Sequence, residues 1–316
     1  MPDTSSPAQT RIDVHQHYWS EELLDALRGR AAPPYVRTEN GLEVLFLAAE
    51  RPYVIDLSRE APDPRAELLE RDGLEGALVC LSSPLGIESL PRPESMALLD
   101  AYHEGAVALG EGFGIWGAVP LDRLGPDDVD DVLARGCVGV SLPATALASV
   151  ERIGVLAPAL RRLQEHEVPL FVHPGPNGSR PALADPLWWP ALSCYVAQMQ
   201  AAWLAFLATG RLIAPRLPVV FAMLAGLAPL HAERLRSRGG PSARAADPLL
   251  FYDTSSYGPE AVSMVARAVG EGQILYGSDR PVVEPADLDM PLSVDWDRVG
   301  AATARALGGR LLGARP

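Results

Sequence analysis

Residues 11–17 read RIDVHQH and decide the fold class, because this segment is both the first predicted strand and the first polar cluster of the chain. Apolar or β-branched residues stand at Ile12 and Val14, and two histidines follow at His15 and His17. Side chains of a strand alternate between its two faces, so the two imidazoles project to the same side. The segment therefore predicts a buried strand that ends in a pair of potential ligands.

Seven similar runs follow, and segments rich in Ala, Leu, Arg and Glu separate them. The runs are LEGALVCLS (74–82), GFGIWGAVPL (112–121), CVGVSLPA (137–144), VPLFVHPG (168–175), LPVVFAMLAG (217–226), LLFYDTSS (249–256) and ILYGSDRP (274–281). Apolar strands that alternate with helices indicate a parallel sheet covered by helices, and eight strands close a (β/α)8 barrel. An open doubly wound sheet is the alternative, but the first strand lacks the glycine-rich phosphate turn. We predict an α/β protein, a single (β/α)8 TIM-barrel domain over residues 1–316.

Two intervals are longer than a simple connection between strand and helix. Residues 18–72 contain LEVLFLAAERPYVIDLS, which predicts two short strands around Arg51-Pro52, a small hairpin over the barrel mouth. Residues 176–216 contain a Pro/Gly/Ser-rich stretch and then an apolar segment whose spacing predicts a buried helix. Long loops on a compact scaffold are often functional, so both insertions are candidates for the walls of a site.

Composition excludes several classes of partner and chemistry. With 27 basic and 40 acidic residues the net charge is −13, which disfavours nucleic acids and acidic membrane surfaces. All the basic residues are arginine, so no lysine is available for a Schiff base, a phosphate loop or a carboxylated metal bridge. The N-terminal residues lack the apolar region of a signal peptide, and residues 217–230 are too short to span a bilayer. We expect a cytoplasmic protein without a membrane segment.

Histidines and an aspartate cluster at predicted strand ends. His173 ends the fifth strand and Asp279 ends the eighth, while His15 and His17 end the first. In a barrel all these ends open onto one face, where active sites lie. Three imidazoles and a carboxylate suit zinc, which lowers the pKa of a bound water towards ~7. A lone strand histidine is usually a core residue, but half of the six histidines fall at these ends. The others, predicted to be surface residues, are His103, His166 and His231.

With these motifs the chain resembles the amidohydrolase-related family of the amidohydrolase superfamily, particularly the branch that contains aminocarboxymuconate semialdehyde decarboxylase. The resemblance runs from RIDVHQH to YGSDRP. It implies that His15, His17, His173 and Asp279 hold one divalent ion, usually zinc. It also implies a small-molecule substrate, which could be a carboxylate, and a homodimer, since relatives are often dimers.

One position departs from the family pattern. Relatives carry a histidine at the end of strand six, in a stretch resembling F-A-H-x-G-G, where it polarises the substrate or activates water. Here the stretch reads VVFAMLAGLAPL and places Met223 at that position. A thioether neither donates nor accepts a proton at neutral pH. We therefore expect Asp279 to act as the catalytic base, and Met223 to line the substrate site.

Three further residues are candidates for substrate contact. In the loop after His173, Arg180 could grip a carboxylate and Trp188 could cover an aromatic or unsaturated substrate. Packing of Trp188 onto the barrel or a second subunit is the alternative. Asp253, at the end of strand seven, could bind the substrate or cap a helix.

Three functions remain open at this point. The first is a metal-dependent hydrolase whose activated water attacks an amide, lactone or related carbonyl. The second is a nonoxidative, metal-dependent decarboxylase of an unsaturated or aromatic acid, against which Met223 counts. The third is a catalytically impaired homologue that acts by binding. Nucleophilic triads and nicotinamide enzymes are disfavoured, because the chain has neither a G-x-S-x-G elbow nor a G-x-G-x-x-G turn after the first strand.

Overall fold

The structure is a computed structural model, and it describes residues 11–59, 61–179, 182, 184–241, 247–284 and 296–307. Numbered in chain order, the strands of the described residues are β1 Ile12–His17, β2 Tyr35–Glu39, β3 Leu42–Phe46, β4 Tyr53–Ile55, β5 Gly76–Cys80, β6 Phe113–Ala118, β7 Gly139–Pro143, β8 Leu170–His173, β9 Val219–Phe221, β10 Leu250–Asp253 and β11 Ile274–Leu275. Strands β1 and β5–β11 form one parallel sheet, in which each strand pairs with the next along the chain. The predicted (β/α)8 barrel is confirmed.

The sheet closes between its first and last strands. The backbone N–H of Val14 donates to the carbonyl of Tyr276 (2.8 Å), and that of Asp279 donates to the carbonyl of His15 (2.9 Å). A parallel bridge between Gln16 and Arg280 extends this pairing towards the carboxyl ends of the strands. The closure therefore brings the two histidines of β1 next to the segment that follows β11.

Helices connect the barrel strands and cover the outside of the sheet. They are α1 Glu21–Arg28, α2 Pro62–Arg71, α3 Arg92–Ala108, α4 Pro126–Ala134, α5 Val150–Val155, α6 Ala157–Glu165, α7 Val196–Ala205, α8 Arg211–Ile213, α9 Ala232–Ser237, α10 Pro259–Val269 and α11 Trp296–Leu307. Their beginnings follow sequence signals: the Ser20 hydroxyl accepts from the N–H of Leu23, and α2, α3, α4, α6 and α10 have proline in the first turn.

The barrel interior is packed with large side chains. Trp116 stacks on Phe171 with 5.0 Å between ring centroids, and its indole N–H donates to the carbonyl of Val14 at 2.9 Å. Every residue of β1 and of β5–β11 is buried, which explains why β5–β11 are largely apolar, whereas β1 carries buried polar residues. The core supports the mouth of the barrel from below.

The first insertion is an antiparallel sheet with one more strand than expected. Strands β3 and β4 flank Arg51-Pro52 as predicted, and β2 pairs with β3 on the other side. The sequence carried a signal for this additional strand. Asn40 and Gly41 have φ of 53° and 80°, the left-handed conformations that a two-residue hairpin turn requires.

The second insertion contains the predicted helix, but the helix is only partly buried. A continuous helix runs over Ala191–Ile213, and only 33% of its most apolar 18-residue window is buried. By length and composition alone this helix could cross a membrane. Its buried face is formed by Met199, Ala202, Trp203 and Ala205, which places it as a helix of the barrel coat and corrects the prediction of a fully buried helix.

Close packing of β7 generates a prediction about stability. A methyl group at Gly139 would overlap the carbonyl oxygen of Pro169 and lie 3.0 Å from the ring of Trp116, whereas one at Gly154 in α5 would meet nothing within 4 Å. We expect Gly139→Ala to lower the free energy of unfolding by about 1–3 kcal/mol. The matched variant Gly154→Ala should raise it by about 0.5–1 kcal/mol, because alanine favours a helix. Urea denaturation measures both, and a Gly139→Ala variant as stable as the wild type would contradict this packing.

Candidate metal centre and cavity

Three histidines and one aspartate meet at the carboxyl ends of the barrel strands. His15 and His17 belong to β1, His173 ends β8 and Asp279 follows β11. One ligand atom of each residue lies within 4.8 Å of all the others. The structure thus brings together the four residues that the sequence identified, although they are up to 264 positions apart.

The distances and the chemistry of these atoms suit a divalent ion. The Nε2 atoms of His15 and His17 are 3.4 Å apart, and Asp279 Oδ1 lies 3.0 Å from Nε2 of His17 and 3.5 Å from that of His15. Metal–nitrogen bonds of about 2.0–2.1 Å in a tetrahedral arrangement place two nitrogens roughly 3.3 Å apart. The cluster could therefore hold a metal ion with little rearrangement.

Hydrogen bonds at the far side of each ring leave Nε2 directed at the centre. Nδ1 of His17 donates to the carbonyl of Cys80 (3.1 Å), and Nδ1 of His173 donates to the carbonyl of Pro174 (2.8 Å). Nδ1 of His15 lies 2.9 Å from a carboxylate oxygen of Asp253. Such partners fix the tautomer and the ring orientation of a metal-ligating histidine. When a cation binds in place of the Nε2 protons, each ring keeps its proton on Nδ1 and directs the lone pair of Nε2 at the ion.

Burial and charge move the pKa values of the cluster in different directions. Burial lowers the pKa of His15, but the charge of Asp253 outweighs it and raises this pKa to about 10. Burial and the neighbouring imidazoles lower the pKa of His173 well below its usual value. Burial raises the pKa of Asp279, but the hydrogen bond from His17 and the nearby imidazoles lower it to about 2. Asp279 is therefore a carboxylate and His173 a neutral ligand.

The buried carboxylate of Asp13 connects the two segments that carry the ligands. It accepts hydrogen bonds from the N–H of His15 (3.0 Å), the side chain of Gln16 (2.8 Å) and the N–H of Ser278 (3.0 Å). Each bond joins β1 to itself or to the residue before Asp279. Because Asp13 is inaccessible to solvent, its lost hydration must be replaced by these donors.

A cavity of about 610 Å³ opens above the cluster. His17, His173 and Asp279 form part of its wall, and the two insertions and the loops after other barrel strands contribute the rest. Most of the lining is apolar; the residues include Trp19, Leu45, Leu47, Tyr53, Leu85, Leu187, Leu192 and Val282. A cavity of this size accommodates a small organic substrate, and its apolar walls suit a ring or an unsaturated chain.

Met223 lines this cavity at the start of an unusual turn. Residues 223–227 all have positive φ, from 48° to 64°, although only Gly226 is a glycine. Left-handed backbone costs roughly 1–2 kcal/mol for each non-glycine residue. The turn is anchored because the N–H of Met223 lies 3.0 Å from Asp253 Oδ1 and 3.1 Å from the hydroxyl of Ser255. Strain of this kind is typical of functional sites, and here it holds the thioether in the wall.

Three other predicted site residues have different outcomes. Asp253, a predicted substrate contact, is inaccessible behind His15, so it positions that ligand instead. Trp188 is 56% exposed and outside the cavity lining, where Leu187 and Pro190 stand, because the loop turns its ring outward. Arg180 lies outside the described residues. Among the histidines outside the cluster, His103 was predicted at the surface but is buried, since it accepts the N–H of Ala118 at 3.1 Å.

A polar group that no sequence motif indicated lies in the same cavity. Glu50 and Arg51, from the connection between β3 and β4, face the cavity together with Tyr195. The Tyr195 hydroxyl donates to Glu50 at 2.5 Å, and the Asn177 amide donates to the same oxygen at 2.8 Å. The only signal was the place of Glu50-Arg51 in an insertion expected to cover the mouth.

No protein-family model and no curated protein sequence matches the chain. Solved structures do match it, at TM-scores that show a common fold. IDCase from Metarhizium anisopliae has a TM-score of 0.71 at 16% identity, over 96% of this chain and 92% of that one. A 2,6-dihydroxybenzoate decarboxylase from Rhizobium has 0.64 at 16%, over 95% and 99%. A 5-carboxyvanillate decarboxylase from Novosphingobium aromaticivorans, complexed with manganese and 4-hydroxy-3-methoxy-5-nitrobenzoic acid, has 0.64 at 16%, over 95% and 93%. At these identities the likeness shows a common fold, which agrees with the resemblance drawn from the sequence.

Metal content tests the cluster directly. We expect near-stoichiometric divalent metal in protein purified without added metal or chelator, and a loss of at least tenfold in His173→Ala, because one nitrogen ligand is removed. The control is His231→Ala, since His231 is exposed and not part of the cluster. Plasma mass spectrometry measures all three proteins. Metal retained in His173→Ala, or absent from wild type even after incubation with zinc or manganese, would contradict the site.

Proposed function

We propose that this chain is a metal-dependent decarboxylase of the amidohydrolase superfamily, which removes carbon dioxide from an aromatic or unsaturated carboxylic acid. The observation that carries the proposal is the convergence of three imidazoles and a carboxylate at the floor of an apolar cavity. The similarity to decarboxylases in fold supports it. We further propose that residues 1–316 act as one cytoplasmic domain, with a small carboxylate as partner, and that two copies form a homodimer.

The ion that we propose is divalent and held by His15, His17, His173 and Asp279. Zinc suits a tetrahedral set of three nitrogens and one oxygen, while manganese, present in one structurally similar decarboxylase, accepts the same ligands with additional oxygens. When bound, the ion supplies Lewis-acid polarisation of a substrate oxygen.

Side chains of the cavity would orient a carboxylic acid. Arg51 is the one arginine among the described residues that line the cavity. Its Nη2 donates to the backbone carbonyl of Asp185, which fixes the guanidinium against the second insertion. A guanidinium pairs well with a carboxylate in an apolar setting. Trp19 and Leu47 exclude water from the ring beside it.

Decarboxylation needs a place for one electron pair and a source of one proton. The carbon–carboxyl bond breaks, carbon dioxide leaves, and the electron pair stays on the ring or alkene carbon, which takes the proton. Asp279 lines the cavity and could move a proton, but its low pKa makes it a carboxylate and therefore a base rather than a donor. Met223, at the position of the usual histidine, supplies no proton.

Hydrolysis is the second candidate, and Met223 is the observation that favours it. A hydrolase of this design needs only a base that takes a proton from water, and the carboxylate of Asp279 suits that role. The attacked bond would be an amide, a lactone or a related carbonyl. The binding homologue without turnover would keep the cluster and the cavity and transform neither class of substrate.

Assay of carbon dioxide release separates these functions. We expect release from at least one acid in a panel of hydroxybenzoates, carboxyvanillates and muconate-like acids. Chelation should lower the rate at least 100-fold, and added zinc or manganese should restore it, because the metal polarises the substrate. Equal molar amounts of decarboxylated product, identified by mass spectrometry, are the control for the gas signal.

The same preparation is then tested on amides and lactones. Hydrolysis together with silence on every acid would overturn the decarboxylase in favour of the second candidate. Metal binding without turnover of either class would instead favour the binding homologue, and activity that survives complete removal of the metal would contradict both enzymatic candidates.

A further inference from the structure

A partly buried group of hydrogen-bonded side chains lies in the cavity wall, where the first insertion supplies Glu50. Oε1 of Glu50 accepts from the hydroxyl of Tyr195 at 2.5 Å and from the side-chain amide of Asn177 at 2.8 Å. The three residues come from three separate segments, namely the β3–β4 connection, the loop after β8 and the helix of the second insertion. The tertiary structure, and not one local segment, therefore brings these three side chains together.

The two donors leave one oxygen of Glu50 for a proton. Both hydrogen bonds end on Oε1, so Oε2 is the atom that would carry a hydrogen. Glu50 is half-buried, and this burial raises its pKa, while the hydrogen bond from Tyr195 acts in the opposite direction. A carboxylic acid in such a setting keeps its proton to higher pH than an exposed glutamate does.

The same cavity lacks the acid that relatives place after strand six. Met223 occupies that position and lines the cavity together with Glu50 and Tyr195. We propose that Glu50, positioned by Tyr195 and Asn177, is the proton donor of the reaction and takes over from the missing histidine. This inference rests on the proposed decarboxylase function.

The step is balanced in atoms and charge. Glu50 gives the hydrogen on Oε2 to the substrate carbon that bears the carboxylate, a carbon–hydrogen bond forms, and the carbon–carboxyl bond breaks to release carbon dioxide. Glu50 is left as a carboxylate, which the Tyr195 hydroxyl and the Asn177 amide stabilise. Water from the open side of the cavity returns a proton before the next turnover. In the net reaction, one carboxylate and one proton give one carbon–hydrogen bond and one molecule of carbon dioxide.

Charged and titratable groups around Glu50 define its pH dependence. They come from its own segment, from the helix that carries Tyr195 and from the metal cluster across the cavity; they are Arg51, Cys194, Tyr195, His17, His173 and Asp279. The hydrogen bond from Tyr195 favours the carboxylate of Glu50, whereas burial favours the protonated acid. Loss of the Glu50 proton at high pH ends the donor function and gives the profile an alkaline limb.

Variants of Glu50 and Tyr195 test the proposal on the acid that the wild type decarboxylates best. We expect Glu50→Gln to lower kcat about 100-fold or more, with KM changed less than about threefold, because an amide has no proton to give. Tyr195→Phe removes a hydrogen bond that stabilises the carboxylate, so the pKa of Glu50 rises. The alkaline limb of kcat/KM should therefore move to higher pH in Tyr195→Phe. Metal content, measured by plasma mass spectrometry, should equal that of wild type in both variants.

The control is Glu39→Gln, an exposed glutamate of the same antiparallel sheet that does not line the cavity. It should keep wild-type kcat and pH profile. An active wild type with full kcat in Glu50→Gln, or an alkaline limb that stays in place or moves to lower pH in Tyr195→Phe, overturns the role of Glu50 alone. A wild type that releases carbon dioxide from no acid overturns the proposed function and this role with it.

Discussion

The hydrogen bonds at Nδ1 of the three clustered histidines are the constraint on which the rest of the site depends. A buried imidazole has one proton in its neutral form, and here an acceptor behind each ring takes that proton: Asp253, the carbonyl of Cys80 and the carbonyl of Pro174. Nε2 of each ring then points towards the centre of the cluster. Buried polar atoms without partners are costly, so the orientation follows from the satisfaction of the outer atoms. The inner lone pairs are left for a cation.

The barrel and the insertions contribute to the site in different ways. Parallel strands deliver ligands from β1, β8 and the segment after β11 to one face, since their hydrogen-bond register fixes where each strand ends. The insertions contribute apolar walls and the Glu50–Tyr195 pair, whose positions need not be as precise as those of metal ligands. The candidate ligands can therefore stay in place while the walls change. Proteins that share this fold are therefore expected to differ in function.

The left-handed turn after β9 is held by the same carboxylate that contacts His15. Four of its five residues are not glycine, yet all have positive φ, and Asp253 accepts the N–H at its start. Asp253 also orients His15, so one carboxylate holds both a ligand and the strained turn. The thioether of Met223, at the start of the turn, has no role in proton transfer. Under our proposal that chemistry moved to Glu50, on a different wall of the same cavity.

The sequence by itself determined the barrel, because eight short apolar runs with helical segments between them leave few other arrangements. It also predicted the cluster: strand periodicity put His15 and His17 on one side of β1, and the rule that barrel strands end at one face added His173 and Asp279. Strand β2 was missed, although Asn40-Gly41 marked its hairpin. Only the tertiary structure decided that Trp188 faces outward, that Asp253 lies behind His15, and that Glu50 meets Tyr195 from 145 positions away. Side-chain direction in loops follows no period, and it is set by contacts between segments that the sequence does not show to be neighbours.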